Sequence, residues 1–215
     1  MSAISCRLLY QSASPHIQQL YTGFRLLHRS GFLRLSQEMR RTPVSYRNDA
    51  PHLADASHAH LDAVVGEQLR LHFDTHDSQE LALGELASCD FYFKRSYLPA
   101  AVEALPANER GKVIPLGLNY RVLPGWKMAE YVAFSKAILS ERLVYETPGS
   151  FAPGKNYIEF TSPEECLNGA VRLIEDVALR QQLMRSNAAY YRDYLRPDAL
   201  VRNALKIAIE KGAQG

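Results

Sequence analysis

Residues 124–160, PGWKMAEYVAFSKAILSERLVYETPGSFAPGKNYIEF, carry the clearest succession of structural signals in this 215-residue chain. The pattern predicts a helix from residue 127, a buried strand over 137–145, a loop rich in Gly and Pro over 147–156, and a short strand before residue 160. A Glu lies near the start of the helix, and a Gly-Lys-Asn turn closes the loop. Helices alternating with strands are typical of an α/β fold.

The same alternation continues on both sides of this stretch and predicts a mostly parallel, Rossmann-like α/β sheet flanked by helices. Ser14 and Pro15 are suited to begin a helix directly after the first strand. Two alternating runs joined at Gly66-Glu67 predict a hairpin over 60–74, which would add an antiparallel strand. Further strands are predicted at 7–10, 32–36, 90–94 and 112–116, with helices over 78–88 and 98–105.

The C-terminal third is predicted to be helical. The segment Ser162-Pro-Glu-Glu is a capping box with Pro at the first helical position. It begins the first of three helices, the third of which starts at Pro197. In the first of them, the apolar residues that we expect to face inward are Leu167, Ala170, Val171 and Ile174.

The composition is that of an ordinary globular chain, with 47% apolar and 22% charged residues. A formal net charge of +2 gives no general attraction to nucleic acid or to an anionic membrane. The three cysteines are far apart and form no CxxC pair, which favours a reducing compartment over a disulfide scaffold. The sequence has neither an apolar run of ~18 residues nor a signal-peptide pattern. These observations predict a cytoplasmic protein with no transmembrane segment and no nucleic-acid partner.

The segment from His72 to Asp77 concentrates His and Asp residues at the end of a predicted strand. On a strand, His72 and Asp74 would share a face, where both could bind a metal ion. A catalytic metal site usually takes three protein ligands in a fixed geometry, however. The alternative is that these are polar residues at a strand end, with Asp77 or Ser78 capping the next helix. We therefore predict no metal site here.

Ligands of open α/β sheets bind beyond the carboxyl ends of the strands, and two further segments are expected there. The helix start around residues 11–16 would present backbone N–H groups, with His16 facing either the cleft or the surface. The helix at residue 127 would place Glu130 where its carboxylate can accept hydrogen bonds from ribose hydroxyls. Lys127 and Glu130 are three residues apart, so a surface ion pair is the alternative for them.

Two segments resemble glycosyltransferases of the GT-B fold. Residues 89–124, CDFYFKRSYLPAAVEALPANERGKVIPLGLNYRVLP, are similar to the end of that family's N-terminal lobe, which has a strand, a helix, a further strand and the hinge into the second lobe. Residues 127–160 resemble the later half of the second lobe, where many retaining members carry a Glu that holds the donor ribose. Glu130 matches the position of that Glu, and residues 147–157 loosely match the family's donor loop.

This resemblance implies a GT-B-like protein with a Rossmann-like lobe over 1–122 and a shortened donor lobe over 123–215. It implies transfer of a sugar from a nucleotide-sugar donor to a glycan or small-molecule acceptor, without a cofactor. His16 or Asp74 would serve the acceptor side as catalytic residues. The residues that would bind the donor are Lys127, Glu130, Lys136, Gly149, Gly154, Lys155 and Asn156.

A non-catalytic relative of these enzymes is the alternative. The hinge near Leu123 runs almost directly into the Glu130 helix, whereas the family has a block between them that includes the basic residues gripping the donor diphosphate. A shortened lobe would leave sheet edges and apolar helix faces exposed, and a second copy of the chain or a partner transferase would cover them. The sequence therefore leaves open both an enzyme and an interaction module.

Overall fold

The computed structural model describes residues 3–10, 15–39, 59–117 and 127–213. Its main sheet has six strands, which are β1 (Ile4–Tyr10), β2 (Leu33–Met39), β3 (His60–Val65), β4 (Leu69–Asp74), β5 (Phe91–Lys94) and β6 (Val113–Pro115). The strand order is β2-β1-β3-β4-β5-β6. β3 runs antiparallel to both of its neighbours, and the other three pairs are parallel, so the sheet is mostly parallel as predicted.

Helices cover both faces of this sheet, which gives a layered α/β fold of the Rossmann-like kind. The helices are α1 (Gln18–Arg29), α2 (Leu83–Ser88), α3 (Pro99–Glu103), α4 (Ala107–Arg110), α5 (Lys127–Ala133), α6 (Pro163–Glu175), α7 (Val177–Tyr190) and α8 (Pro197–Gly212). α1 and α8 pack on one face of the sheet, and α2 and α3 pack on the other. The predicted α/β class is thereby confirmed.

Alternation along the central strands sorts apolar and polar side chains onto opposite faces of the sheet. In β4, Leu71 and Phe73 join the core beneath α1 and α8. Phe24 of α1 meets Phe73 edge-on, with the ring centroids 5.8 Å apart. His72 and Asp74 alternate with these residues and therefore lie on the face that α2 covers. The main apolar core thus lies on one side of the sheet and the buried polar groups on the other.

Helices α1 and α8 pack very closely because Gly23 has no side chain. A Cβ atom at Gly23 would lie only 2.1 Å from the carbonyl oxygen of Pro197. Nearby, Gln19 Nε2 donates a buried hydrogen bond of 2.6 Å to the carbonyl of Leu195. The last helix therefore shares its core with the six-stranded sheet. The predicted lobe boundary at 122/123 lies outside the described residues, as does the loop predicted over 42–57.

Residues 127–195 form a smaller region beside the sheet, with its own apolar cluster. β7 (Leu139–Glu141) and β8 (Ile158–Phe160) pair in parallel, so the strand predicted over 137–145 is shorter than expected. Tyr157 and Tyr190 pack with the buried face of α5. α6 begins at the predicted cap, where Ser162 Oγ accepts a hydrogen bond of 3.2 Å from the Glu165 amide.

The prediction that the apolar face of α6 points inward is wrong. Leu167, Val171 and Ile174 are 65%, 42% and 74% exposed. Gly169 faces the small sheet instead, where a Cβ atom would lie 2.7 Å from Leu139. At about 100° per residue, Leu167, Val171 and Ile174 lie roughly 140–160° around the helix from Gly169, so the stripe is on the side that faces away from the small sheet.

Helix α2 begins at Leu83, five residues later than the predicted start at 78. Residues 78–82 are not helical; here the Glu80 amide donates to Ser78 Oγ (3.1 Å) and the Ala82 amide donates to the Tyr92 hydroxyl (3.1 Å). The predicted hairpin over 60–74 is confirmed. Among the described residues, no helix combines the length and the apolar character needed to cross a bilayer.

Candidate ligand-binding cleft

A cleft of about 310 Å³ lies at the carboxyl ends of β4, β5 and β6. Its sheet-side wall includes Asp77, Arg95 and Gly117, which follow these three strands in turn. The opposite wall is formed by the first residues of α5 and by residues 142–147, after β7. A backbone hydrogen bond of 3.1 Å from Glu146 to the Tyr97 carbonyl joins the two walls. Open α/β sheets bind their ligands in this position.

Most of the charged side chains among the described lining of the cleft are basic. Arg95 on the sheet side faces Lys127 and Arg142 on the other wall, and Asp77 is the acidic residue among the described lining. Arg95 Nη2 donates to Asp77 Oδ1 at 2.9 Å. Burial lowers the pKa of Arg95, and Asp77 counteracts that effect. Lys127 and Arg142 are exposed, so the cleft has a positive field that suits an anionic ligand.

Directly below the sheet-side wall lies a buried ion pair. Lys94 Nζ donates to Asp74 Oδ2 at 2.8 Å, and the two side chains are 1% and 0% exposed. The same oxygen accepts a hydrogen bond of 2.5 Å from the Tyr92 hydroxyl, and Oδ1 accepts one of 2.9 Å from the His76 amide. Burial alone would raise the pKa of Asp74, but Lys94, His60 and Tyr92 outweigh it and hold that pKa below its ordinary value. A charged Asp74 therefore anchors the ends of β4 and β5.

A chain of histidine contacts extends from this ion pair along the polar face of the sheet. His60 lies opposite Asp74, and Asp62 lies opposite His72 in the β3–β4 register. His60 Nδ1 and His72 Nε2 share a hydrogen bond of 2.8 Å, and His72 Nδ1 lies 2.5 Å from Asp62 Oδ1. Burial lowers the pKa of His60 to about 3, so its imidazole is neutral at physiological pH. The chain leads away from the basic cleft.

Neither predicted catalytic residue is among the described residues that line the cleft. Asp74 is fully buried beneath it, so contact with an acceptor would require the carboxylate to leave Lys94. His16 is half-buried in the short turn Pro15–Ile17, beyond the carboxyl end of β1. The catalytic roles of both residues stay predictions.

Among the predicted donor-binding residues, Lys127 lines the cleft. Glu130 lies three residues further along α5, is half-buried, and is outside the described lining. Lys136 is exposed beyond the end of α5, and its backbone carbonyl accepts a hydrogen bond of 2.7 Å from Asn187. The structure therefore brings one of these three side chains to the cleft wall, and the ribose contact of Glu130 stays a prediction.

The predicted donor loop packs against the C-terminal helices. Gly149 has a φ of +73°, and a Cβ atom there would lie 2.4 Å from the Tyr194 ring. The Asn156 side chain is buried, donates to Asn187 Oδ1 (3.0 Å), and accepts from the Ala152 amide (3.2 Å). Lys155 donates to Ser150 Oγ, and Gly154 has a φ of +75°. Packing and hydrogen bonds thus give a structural reason for these residue types. Contacts of these residues with a nucleotide-sugar stay predictions.

Sequence reasoning missed two cationic residues of the cleft, Arg95 and Arg142. Arg95 is the first residue after β5 and Arg142 the first after β7. The position of Arg95 directly after a predicted strand was a usable signal, because residues at strand carboxyl ends meet at one edge of a parallel sheet. No sequence signal could place Arg142 opposite it, since the two strands belong to different sheets.

No protein-family model matches this chain, and it matches no curated protein.

Proposed function

We propose that this chain is a GT-B-like glycosyltransferase that binds a nucleotide-sugar in the basic cleft and transfers the sugar to a glycan or small-molecule acceptor. The proposal is supported above all by Arg95, Lys127 and Arg142 around a cleft at the carboxyl edge of a mostly parallel sheet. The leaving nucleoside diphosphate gains negative charge in such a reaction, and preplaced cations stabilise it. The cleft volume, about 310 Å³, is within the range of small-molecule sites.

Each wall has a role in this proposal. Lys127 and Arg142 contact the diphosphate, while Arg95, held by Asp77, fixes the sheet-side wall and adds positive charge. Glu130 holds the ribose from the same helix as Lys127. On the acceptor side, His16 is the less constrained of the two candidate bases, because the Asp74 carboxylate forms a buried ion pair with Lys94.

Nucleotide titration tests this proposal. We expect UDP or GDP, or one of their sugars, to stabilise the chain by ~2.7 kcal/mol at 100 times its dissociation constant, measured by denaturation. The double variant Lys127→Ala/Arg142→Ala should bind the same nucleotide at least about tenfold more weakly, since hydrogen bonds to charged groups contribute ~1.5–3 kcal/mol each. Lys206→Ala is the matched control, because Lys206 is an exposed lysine on α8 outside the cleft lining.

The proposal is wrong if no nucleotide or nucleotide-sugar shifts the denaturation midpoint. It is also wrong if the double variant binds as tightly as the Lys206→Ala control. Glu130→Ala then separates the ribose contact from the phosphate contacts. An unchanged affinity in that variant would leave Glu130 as a residue of the α5 surface only.

The second candidate function is a self-associating interaction module, favoured by the exposed apolar stripe of α6. Leu167, Val171 and Ile174 are spaced four and three residues apart, so the stripe is nearly symmetric about Val171. In an antiparallel pair of α6 helices, Leu167 of one copy would face Ile174 of the other. Such an isologous arrangement makes the same patch complementary to itself, which favours a second copy of this chain as the occupant.

Sedimentation velocity tests the second candidate. We expect the chain to form a dimer that Leu167→Ser/Ile174→Ser converts to a monomer, because the Leu167–Ile174 contact occurs twice in a two-fold interface. Arg172→Ser, an exposed substitution on the same helix, should leave the dimer intact. A wild-type chain that stays monomeric at high concentration would exclude this candidate.

A further inference from the structure

The polar face of the sheet contains a second cavity, also of about 310 Å³, that the proposed function does not use. It lies beside β1, β3 and β4, and α2 forms one of its sides. The described lining includes Asp62 from β3, Glu85 from α2, and the exposed pair Arg7–Glu38, whose charged atoms are 2.8 Å apart. None of the described residues that line the basic cleft contributes to this cavity.

Three side chains with metal-binding atoms converge beside this cavity, and two of them, Asp62 and Glu85, line it. One ligand atom from each of Asp62, His72 and Glu85 lies within 4.8 Å of the other two. The β3–β4 register places Asp62 directly opposite His72, and Glu85 reaches the pair from the helix that covers this face. His72 is 0% exposed and Glu85 is 7% exposed, whereas Asp62 is half-buried at the cavity wall. The set is therefore fixed by sheet register and helix packing rather than by mobile surface side chains.

The imidazole of His72 is oriented by a neighbouring residue. Its Nε2 shares the 2.8 Å hydrogen bond with His60 Nδ1, and its Nδ1 forms a hydrogen bond of 2.5 Å with Asp62 Oδ1. A carboxylate only accepts, so Nδ1 carries the proton of the contact with Asp62. Histidines that bind metals usually donate their second ring N–H to an acceptor, which fixes the tautomer. Metal binding at Nδ1 requires the other tautomer, in which Nε2–H donates to His60 Nδ1 and His60 is that acceptor.

We propose that Asp62, His72 and Glu85 bind a divalent transition-metal ion. Two carboxylates brought together in a partly buried place repel each other, and a doubly charged cation would offset that repulsion. One imidazole nitrogen with two carboxylate oxygens suits Zn²⁺ and related ions, whereas Mg²⁺ and Ca²⁺ prefer oxygen ligands alone. With three protein ligands, the cavity leaves room for water as a further ligand. The site is separate from the basic cleft and does not depend on the proposed function.

Metal titration of the full chain tests this site. After treatment with a chelator and desalting, the chain should bind one equivalent of Zn²⁺, measured by competition with a chromogenic chelator, and Zn²⁺ should raise its thermal midpoint. The double variant Asp62→Asn/Glu85→Gln keeps the shape of both side chains. It should bind Zn²⁺ at least about 10–100-fold more weakly and lose the thermal shift. Co²⁺ provides a second readout, because its visible absorption depends on the ligands.

Glu67→Gln is the matched control, since Glu67 lines the same cavity but is outside the converging set. It should bind Zn²⁺ as the wild type does. The metal site is excluded if the wild-type chain shows no saturable binding of one equivalent, or if the Asp62→Asn/Glu85→Gln variant binds with unchanged affinity and an unchanged Co²⁺ spectrum. Circular dichroism establishes that the variant is folded. If that variant does not fold, Glu85→Gln alone is compared with Glu67→Gln on the same criteria.

Discussion

Lys94→Met should lower the free energy of unfolding by about 3–5 kcal/mol, because it would leave the Asp74 carboxylate buried without its cation. Methionine retains most of the length of the lysine side chain, so the loss would come mainly from the charge. The measurement is chemical denaturation at pH 7, compared with the wild type. Lys206→Met is the control, since Lys206 and Glu210 form an exposed pair that should contribute less than about 1 kcal/mol.

A second variant separates the effect of the Asp74 charge on stability from the effect of its packing. Asp74→Asn/Lys94→Met removes both charges and keeps an acceptor for the His76 amide, so it should recover part of the stability that Lys94→Met loses. If Lys94→Met lowered the free energy of unfolding by no more than Lys206→Met does, the buried pair would not stabilise the fold. The Lys94→Met substitution should also weaken nucleotide binding indirectly, because Arg95 is the next residue in the chain and lines the cleft.

The ion pair of Asp74 and Lys94 should make the stability of the fold depend on pH. The folded-state pKa of Asp74 lies below its unfolded value, so its contribution is fully present above the ordinary pKa of an Asp, ~4. It is lost as the pH falls from there toward the lowered pKa. The wild type should therefore lose more stability between pH 5 and 3 than the Asp74→Asn/Lys94→Met variant, as measured by denaturation at each pH.

Gly23→Ala should destabilise the chain by about 2–3 kcal/mol, although alanine is the better helix former. The added Cβ atom would meet the Pro197 carbonyl oxygen at 2.1 Å and Val201 Cγ2 at 2.6 Å. One of the contacting atoms belongs to the backbone, so α1 and α8 would have to move apart, and overpacking of this kind costs ~1–3 kcal/mol or more. The measurement is again chemical denaturation.

Gly84→Ala is the matched control for this prediction. Gly84 also lies in a helix, but a Cβ atom there would meet nothing within 4 Å. Alanine should be neutral or stabilise the chain by up to ~1 kcal/mol at this position. Similar effects of the two substitutions would mean that the close α1–α8 packing does not set the stability of the core.

Much of the fold was predictable because the signals are local. The hairpin over 60–74, the strand at 90–94 and the Ser162 cap follow from alternation, turn residues and capping chemistry. The inward face of α6 was not predictable in the same way. Helical periodicity locates the apolar stripe of Leu167, Val171 and Ile174, but only the tertiary packing decides which side of the helix is covered, and here it is the side of Gly169.

In the candidate sites too, local signals were predictable from the sequence and contacts between distant segments were not. Lys127 was predicted from its place on a helix near the cleft, whereas Arg142 required the approach of two separate sheets. His72 and Asp74 were recognised as sharing a strand face. Asp74 is paired with Lys94 and His72 with Asp62, and these partners come from neighbouring strands.

The α/β class and the order of most helices and strands follow from periodicity within a few residues, and the cluster of His and Asp at the end of β4 can be read directly from the chain. Which charges meet depends on tertiary contacts. The β3–β4 register brings Asp62 to His72, α2 adds Glu85, and α8 returns to α1 at Gly23. Contacts between residues far apart in the chain depend on register and close packing, which no local pattern specifies.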